Sequence, residues 1–291
     1  MKVLITGAGG MVGSALRDFC QSKGDFVLAY DHSQVDIADT QSVRQAISRA
    51  KPDAVINCAA WTNVDGCESE PERAFAANAL GPENLAAASR DVDAHFITIS
   101  TDYVFDGTKE GFYTQEDQPN PQSVYARSKL EGEQRAKEAY PGSIIVRTGF
   151  IFGPNGTNFL STVIRRVLQG ERIKAITDAY GTPTYSQNLA IRLRELAQLG
   201  QPRIFHIVNS GDGASYEEFS REAMLRAGVR EPQIEGILTE SLNRPAARPR
   251  NSRLRCLYSE ALGFAPLPDW RAALNDFVKT AQSASGVRSN S

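Results

Sequence analysis

Thr6-Gly7-Ala8-Gly9-Gly10-Met11-Val12-Gly13 follows directly on the apolar run Val3-Leu4-Ile5 and opens an amphipathic stretch. Glycines at 7, 10 and 13 between a strand and a helix place backbone N–H groups and a helix N-terminus against a pyrophosphate. The residue type is a steric demand. Gly7 permits a tight turn, Gly10 lets the backbone come within contact distance of the phosphates, and Gly13 lets the helix lie close on the sheet. With Gly9, Met11 and Val12 completing the turn, the stretch predicts a dinucleotide site.

Outward from this turn, short apolar runs alternate with helical patterns, the rhythm of a parallel sheet wrapped by helices. Strands are expected near Lys2 to Thr6, Phe26 to Tyr30, Ala54 to Asn57, His95 to Ser100 and Ser143 to Arg147. Helices are expected near Met11 to Ser22, Thr40 to Ala50, Glu72 to Arg90 and Val124 to Glu138. They supply the right-handed crossovers that parallel neighbours need. The fold class is therefore α/β, a Rossmann-type doubly wound parallel sheet. Beyond Gly149 the rhythm is irregular. Helices near Asn158 to Leu168 and Ser186 to Leu199, strands near Ile173 to Ile176 and Ile204 to Val208, and a helix opening at Ser215 with capping-box partner Glu218 suggest a half that extends the sheet and builds a small substrate lobe. The expected division is 1–150 for the cofactor-binding core, 151–280 for the mixed region and 281–291 for a frayed tail without apolar periodicity.

The 291 residues can bury a substantial core, and 41% hydrophobic with 23% charged residues is ordinary for a globular protein. No apolar run approaches the roughly 20 residues of a membrane span. Met1-Lys2 leads straight into the first strand without a secretory signal, so the cytoplasm is expected. Cys20, Cys58, Cys67 and Cys256 have neither Cys-x-x-Cys nor metal-ligand spacing, which predicts free thiols. A net charge of -2 leaves no footprint for nucleic acid. The run Arg244 to Arg255, with five arginines, is either a solvated loop or a holder of a ligand phosphate.

Other positions follow from the sheet's geometry. Asp31, ending the second strand, can accept hydrogen bonds from the adenosine ribose and favours NADH, whereas His32 and Ser33 could hold a 2'-phosphate and admit NADPH. Asp36-Ile37 either flank the adenine or belong to a helix-capping region. Ala59 and Ala60, at the carboxyl edge of the third strand beside Trp61 and Thr62, leave room for a cofactor.

The fourth strand runs into Ser100-Thr101-Asp102-Tyr103, and a later helix carries Tyr125-Ala126-Arg127-Ser128-Lys129. Tyr125 and Lys129 are four apart and share a helix face. An ammonium beside a phenol is expected to pull its pKa from about 10 toward the working pH, so that it exchanges a proton with a carbonyl or alcohol oxygen. Thr101 would hold the same oxygen, and the hydride would come from a nicotinamide.

These pieces together resemble an extended short-chain dehydrogenase/reductase, most similar to the dTDP-4-dehydrorhamnose reductase family. The resemblance rests on Gly7 to Gly13, Asn57 to Asp65 with Glu68, Ser100 to Gly107, Tyr125 to Lys129, Arg147 to Gly153, Gly181-Thr182-Pro183-Thr184 and Arg248 to Leu254, and so spans nearly the whole chain. It implies reduction of the 4-keto group of dTDP-4-dehydro-6-deoxy-L-mannose to dTDP-L-rhamnose, a donor for cell-surface polysaccharide. It also implies Thr101, Tyr125 and Lys129 as the catalytic set, with Lys129 on the nicotinamide ribose, and substrate contacts from Thr62, Val64, Asp102 and Tyr103. Phe150 stands where the family often has Trp. Some bacterial members dimerise around magnesium held by glutamates; here the corresponding positions are Ala15 and Gln187, which implies no metal and a monomer or metal-free homodimer.

Two rival readings stay open. One is another nucleotide-sugar reductase, epimerase or dehydratase of the superfamily, although Asp102-Tyr103 after Thr101 lacks the acid pair a dehydratase wants. The other is a non-catalytic regulatory subunit like the beta subunit of methionine adenosyltransferase.

Overall fold

A computed structural model of the chain describes residues 1–284. The first half runs β1 (Lys2–Thr6), α1 (Met11–Ser22), β2 (Phe26–Tyr30), α2 (Thr40–Ala50), β3 (Ala54–Asn57), α3 (Val64–Ser69), α4 (Pro71–Phe75), α5 (Gly81–Arg90), β4 (His95–Thr101), α6 (Val124–Ala139) and β5 (Ile144–Thr148). The second adds β6 (Ile151–Phe152), α7 (Phe159–Leu168), β7 (Ile173–Ile176), β8 (Tyr180–Gly181), β9 (Thr184–Tyr185), α8 (Ser186–Leu199), β10 (Ile204–His206), β11 (Ala214–Ser215), α9 (Tyr216–Arg226), β12 (Ile234–Ile237) and α10 (Trp270–Ala284).

Six strands form one parallel sheet in the order β2-β1-β3-β4-β5-β10. Helices cover both faces, which is why its strands are apolar throughout rather than alternating. Val3 and Ile5 pack with Leu16 of α1 and Leu189 and Leu193 of α8. Leu4, Val55 and Phe96 point the other way, into Val43, Ile47 and Leu85 from α2 and α5. Because β1 is followed by β2 on one side and β3 on the other, the order reverses beside β1, and a crevice opens at the carboxyl ends of the strands.

A second core lies in the later half, where Phe152, Leu160, Val163 and Phe219 meet Trp270, Leu274 and Phe277 of α10. Residues 270, 273, 274, 277 and 278 of α10 are all buried there, a stripe at i, i+3, i+4, i+7 and i+8. Ser215 caps α9 with the expected box: Glu218 N–H donates to Ser215 Oγ (3.0 Å) and Ser215 N–H to the Glu218 carboxylate (2.7 Å).

Three expectations are corrected. The helix near Glu72 to Arg90 is broken by a π-helical turn at Ala76–Leu80. Pro82 has no N–H to give the Asn78 carbonyl, so the regular ladder cannot run through it; that oxygen instead faces Gly132 of α6, where an added Cβ would sit 2.0 Å away. The strand at Ile173 to Ile176 does not extend the main sheet, since β7 pairs in parallel with β12 in a separate two-stranded sheet. The expected tail from 281 begins with four helical residues that finish α10, and 285–291 lie outside the described residues. All four cysteines are free thiols, with Cys20 and Cys67 buried. Among the described residues no helix is long and apolar enough to cross a membrane.

Candidate active site

A cleft of about 720 Å3 runs over the carboxyl ends of β1, β3, β4 and β5. One wall is the glycine turn. Gly7 has φ +67°, and an added Cβ would lie 2.6 Å from the Ala59 nitrogen; at Gly13 it would lie 2.2 Å from the Gly7 carbonyl oxygen. Both glycines are therefore set by packing of turn, helix and β3 edge. At Gly9 an added Cβ meets nothing within 4 Å, so the backbone there is bare toward the cleft. The first N–H groups of α1 have no intrahelical acceptor, and Gly10, its N-cap, offers no side chain to bond them. This is a cradle for a negatively charged group.

Ala59, Ala60 and Thr62 continue this wall, and Val64 stands where α3 begins. Their loop is fastened by Asn78 in the π-helical turn: its amide accepts from Trp61 N–H (2.9 Å) and donates to the Trp61 carbonyl (3.1 Å) and to Ser128 Oγ (3.0 Å). Asn78 thereby joins the cofactor-side loop to the helix face between Tyr125 and Lys129. Sequence spacing did not single it out: Pro82, four residues on, marks a break in the helical pattern but says nothing of what Asn78 bonds.

Ser123 caps α6 by accepting from Ala126 N–H (3.2 Å), and Glu68 of α3 accepts from Val124 N–H (2.8 Å). Two caps thus fix the first turn of the helix that presents Tyr125. Thr101, the last residue of β4, is within hydrogen-bonding reach of the Tyr125 hydroxyl. Lys129 Nζ donates to the Ile99 carbonyl (2.8 Å). This corrects the expected electrostatics. The ammonium is turned to β4 and does not lower the phenol; burial pushes Tyr125 above its ordinary value, and burial brings Lys129 down to about 8 with Glu133 opposing. Tyr125 is accordingly a protonated phenol at neutral pH, the form a proton donor needs.

Behind Thr101, Asp102 is buried against Gly149, where any side chain would collide with the carboxyl. Desolvation pushes Asp102 up to about 6, while hydrogen bonds from Ser252 and Thr101 hold it down. Asp102 Oδ2 and Thr148 Oγ1 are buried and without partners among the described residues, and both residues line the cleft. Tyr103 meets Tyr125 edge to face (6.2 Å, 86°) and is hydrogen-bonded to Tyr216.

The opposite wall comes from the second half. Phe150 adopts φ +51°, costly for a bulky residue, and its ring lies on Tyr216 (4.5 Å) with Gly181 behind it. The first turn of α7 reaches the glycine turn, Ser161 Oγ touching Met11 Sδ at 3.4 Å. Of the basic run, Arg248 is clamped by Asp65 through two bonds (2.9 and 2.8 Å), Arg250 pairs with Glu240, and Arg253 and Arg255 lie on the Phe112 ring. Arg244 lines the cleft with no ion-pair partner among the described residues. Tyr216 and Arg244 were not expected individually, because nothing in local periodicity brings residue 216 to residue 103.

The structure thus brings Thr62, Val64, Thr101, Asp102, Tyr103, Tyr125, Lys129 and Phe150 to one cleft with Gly9, Gly10, Met11 and Val12. Gly7 lies beneath it. Asp31, His32, Ser33 and Asp36 are exposed and off the cleft wall. The Asp31 carboxylate accepts from Ser33 N–H (2.9 Å) and Oγ (2.6 Å), which holds it ionised. Asp36 accepts from Ala38 N–H (3.0 Å), but the residue that caps α2 is Asp39. Ile37 is buried against Gly81, and its carbonyl accepts from Asn84 (3.0 Å).

Comparison with known proteins extends this arrangement over the whole chain. The RmlD substrate binding domain family matches residues 1–283. A dTDP-4-dehydrorhamnose reductase of Mycolicibacterium smegmatis is 40% identical over 280 residues, covering 95% of this chain and 85% of that one. The crystal structure of a dTDP-4-dehydrorhamnose reductase ortholog from Clostridium acetobutylicum matches with a TM-score of 0.91 at 36% identity, over 97% of this chain and 100% of that one. A dTDP-4-dehydrorhamnose reductase from Bacillus anthracis, solved in complex with NADP, has a TM-score of 0.91 at 33% identity, over 96% and 100%. Since the likeness takes in both walls of the cleft and the core behind each, the chain belongs to the dTDP-4-dehydrorhamnose reductase family.

Proposed function

We propose that the protein is an NADPH- or NADH-dependent oxidoreductase that reduces the 4-keto group of dTDP-4-dehydro-6-deoxy-L-mannose to give dTDP-L-rhamnose. The observation that carries the reading is the protonated Tyr125 beside Thr101, in a cleft whose facing wall is a bare glycine turn at a helix N-terminus. The bound dihydronicotinamide supplies the hydride. Tyr125 gives its proton to the C4 oxygen as that oxygen gains charge, and Thr101 holds the same oxygen by a hydrogen bond. Lys129, anchored on the Ile99 carbonyl, holds the nicotinamide ribose, and the phenolate that Tyr125 leaves regains its proton from solvent. The turn Gly7 to Gly13 takes the pyrophosphate, with Ala59, Ala60 and Thr62 beside it, and Asp31 takes the adenosine ribose with His32, Ser33, Asp36 and Ile37 around it.

On the sugar side, the unpartnered Asp102 Oδ2 and Thr148 Oγ1 take sugar hydroxyls, and Phe150, Tyr103 and Val64 wall the ring. Arg244 takes the diphosphate: its charge is unspent, whereas Asp65 neutralises Arg248. The same reading assigns 1–150 to the cofactor and 151–280 to the sugar nucleotide. It takes the protein to be cytoplasmic, a monomer or a homodimer needing no metal, since Ala15 and Gln187 offer no carboxylate.

The test is oxidation of NADPH and of NADH at saturating dTDP-4-dehydrorhamnose, with the product identified by NMR. One cofactor oxidised per dTDP-L-rhamnose formed is expected. Conversion of a nucleotide sugar without net cofactor oxidation would make it an epimerase, and co-purification with a synthetase without turnover would make it a regulatory subunit.

A further inference from the structure

A buried ion pair next to the cleft has no part in the chemistry so far. Glu133 and Arg147 are 3% and 4% exposed. One Glu133 oxygen accepts from Arg147 Nε (2.9 Å) and Ser100 Oγ (2.5 Å), the other from Arg147 Nη2 (2.7 Å). The guanidinium also lies 5.3 Å over the Phe105 ring. Burying such a pair is costly, and apolar residues of like volume would serve stability as well or better. Its position supplies a reason. Tyr125, Lys129 and Glu133 succeed one another at four-residue steps along α6, so the carboxylate lies one turn beyond the ammonium on the same face.

We infer that Glu133, fixed in place by Arg147 and Ser100, is a positioning residue that keeps Lys129 charged in the cleft. The inference rests on the reductase reading for its consequence, though not for the coupling itself. The groups around Lys129 are few: Tyr125 and Glu133 on α6, Cys58 after β3, and Ile99 and Ser100 on β4, with Arg147 of β5 reaching it through Glu133. Burial favours the neutral amine and Glu133 opposes it, so that Lys129 titrates near 8 and is mostly an ammonium at neutral pH. Take the carboxylate charge away and the amine loses its proton at lower pH.

The test compares the full-length protein with Glu133→Gln, which keeps the shape, Glu133→Asp, which keeps the charge, and the double variant Glu133→Gln/Arg147→Met, which leaves no lone buried ion and so folds where the single variant fails. Two readouts are taken. One is the pH dependence of Lys129 acetylation by acetic anhydride, followed by mass spectrometry on cofactor-free protein. The other is the pH profile of kcat for keto-sugar reduction. In Glu133→Gln or the double variant, both the labelling titration and the basic limb of kcat move about one unit lower, so kcat at pH 8 falls about fivefold with KM for the sugar nucleotide little changed. Glu133→Asp stays near wild type. An unshifted Lys129 titration in the charge-free variants overturns the inference and leaves the pair a structural strut. A shifted titration in the charge-free variants of a protein whose wild type reduces no keto-sugar supports the coupling and overturns the reductase reading instead.

Discussion

The glycine turn between β1 and α1, and the wall opposite it made by Phe150, Tyr216, Arg244 and Arg248, border one cleft by different means. The first is backbone: it works by leaving side chains out, and its parts are contiguous in the chain. The second is all side chain, gathered from the turn between β5 and β6, from α9 and from a loop nearly a hundred residues beyond that turn. A backbone cradle suits what dinucleotides share, their phosphates. A side-chain wall suits what distinguishes one nucleotide sugar from another, and its strained Phe150 and unspent Arg244 are details a substrate can select.

This contrast predicts that the two walls fail differently. Gly13→Val, whose Cβ would press on the Gly7 carbonyl, should abolish cofactor binding in a fluorescence titration and destabilise the fold by about 1–3 kcal/mol in thermal unfolding. Arg244→Gln should leave cofactor affinity and Tm unchanged while raising KM for the dTDP-sugar about tenfold, with kcat within about threefold, the loss of one charge-assisted hydrogen bond. An Arg244→Gln protein with an unchanged KM would move the diphosphate elsewhere. The smallest effect is expected at Asp31. Removing its fixed negative charge with Asp31→Ala should raise the preference for NADPH over NADH by about threefold or more in kcat/KM, an effect that shrinks with added salt.

Legibility in the sequence divides along the same line. β1, α1, β2, α2 and β3 lie where the sequence places them, because each has its own local period and its own turn. Tyr125 and Lys129 could be paired in advance because helix geometry alone relates residues four apart. Their electrostatics could not: that Lys129 turns to the Ile99 carbonyl while burial keeps the proton on Tyr125 depends on β4 behind them. Asn78 and Tyr216 are beyond local reading, since their roles exist only when α6 packs on the π-helical turn and α9 on the strand ends. The helix at Trp270–Ala284 is another matter. Its apolar stripe is clean, and what hides it is position, between the proline-rich run before Asp269 and an end of the chain where periodicity fades.

The central claim is that the half-buried, protonated phenol of Tyr125 is the group that completes carbonyl reduction. It is met most directly by Tyr125→Phe, a change that removes one oxygen and leaves the ring in place against Tyr103. Single-turnover reduction of dTDP-4-dehydrorhamnose with saturating NADPH should slow by about a thousandfold, while the dissociation constant for NADPH stays within about twofold of wild type. Turnover within about tenfold of wild type would contradict the account.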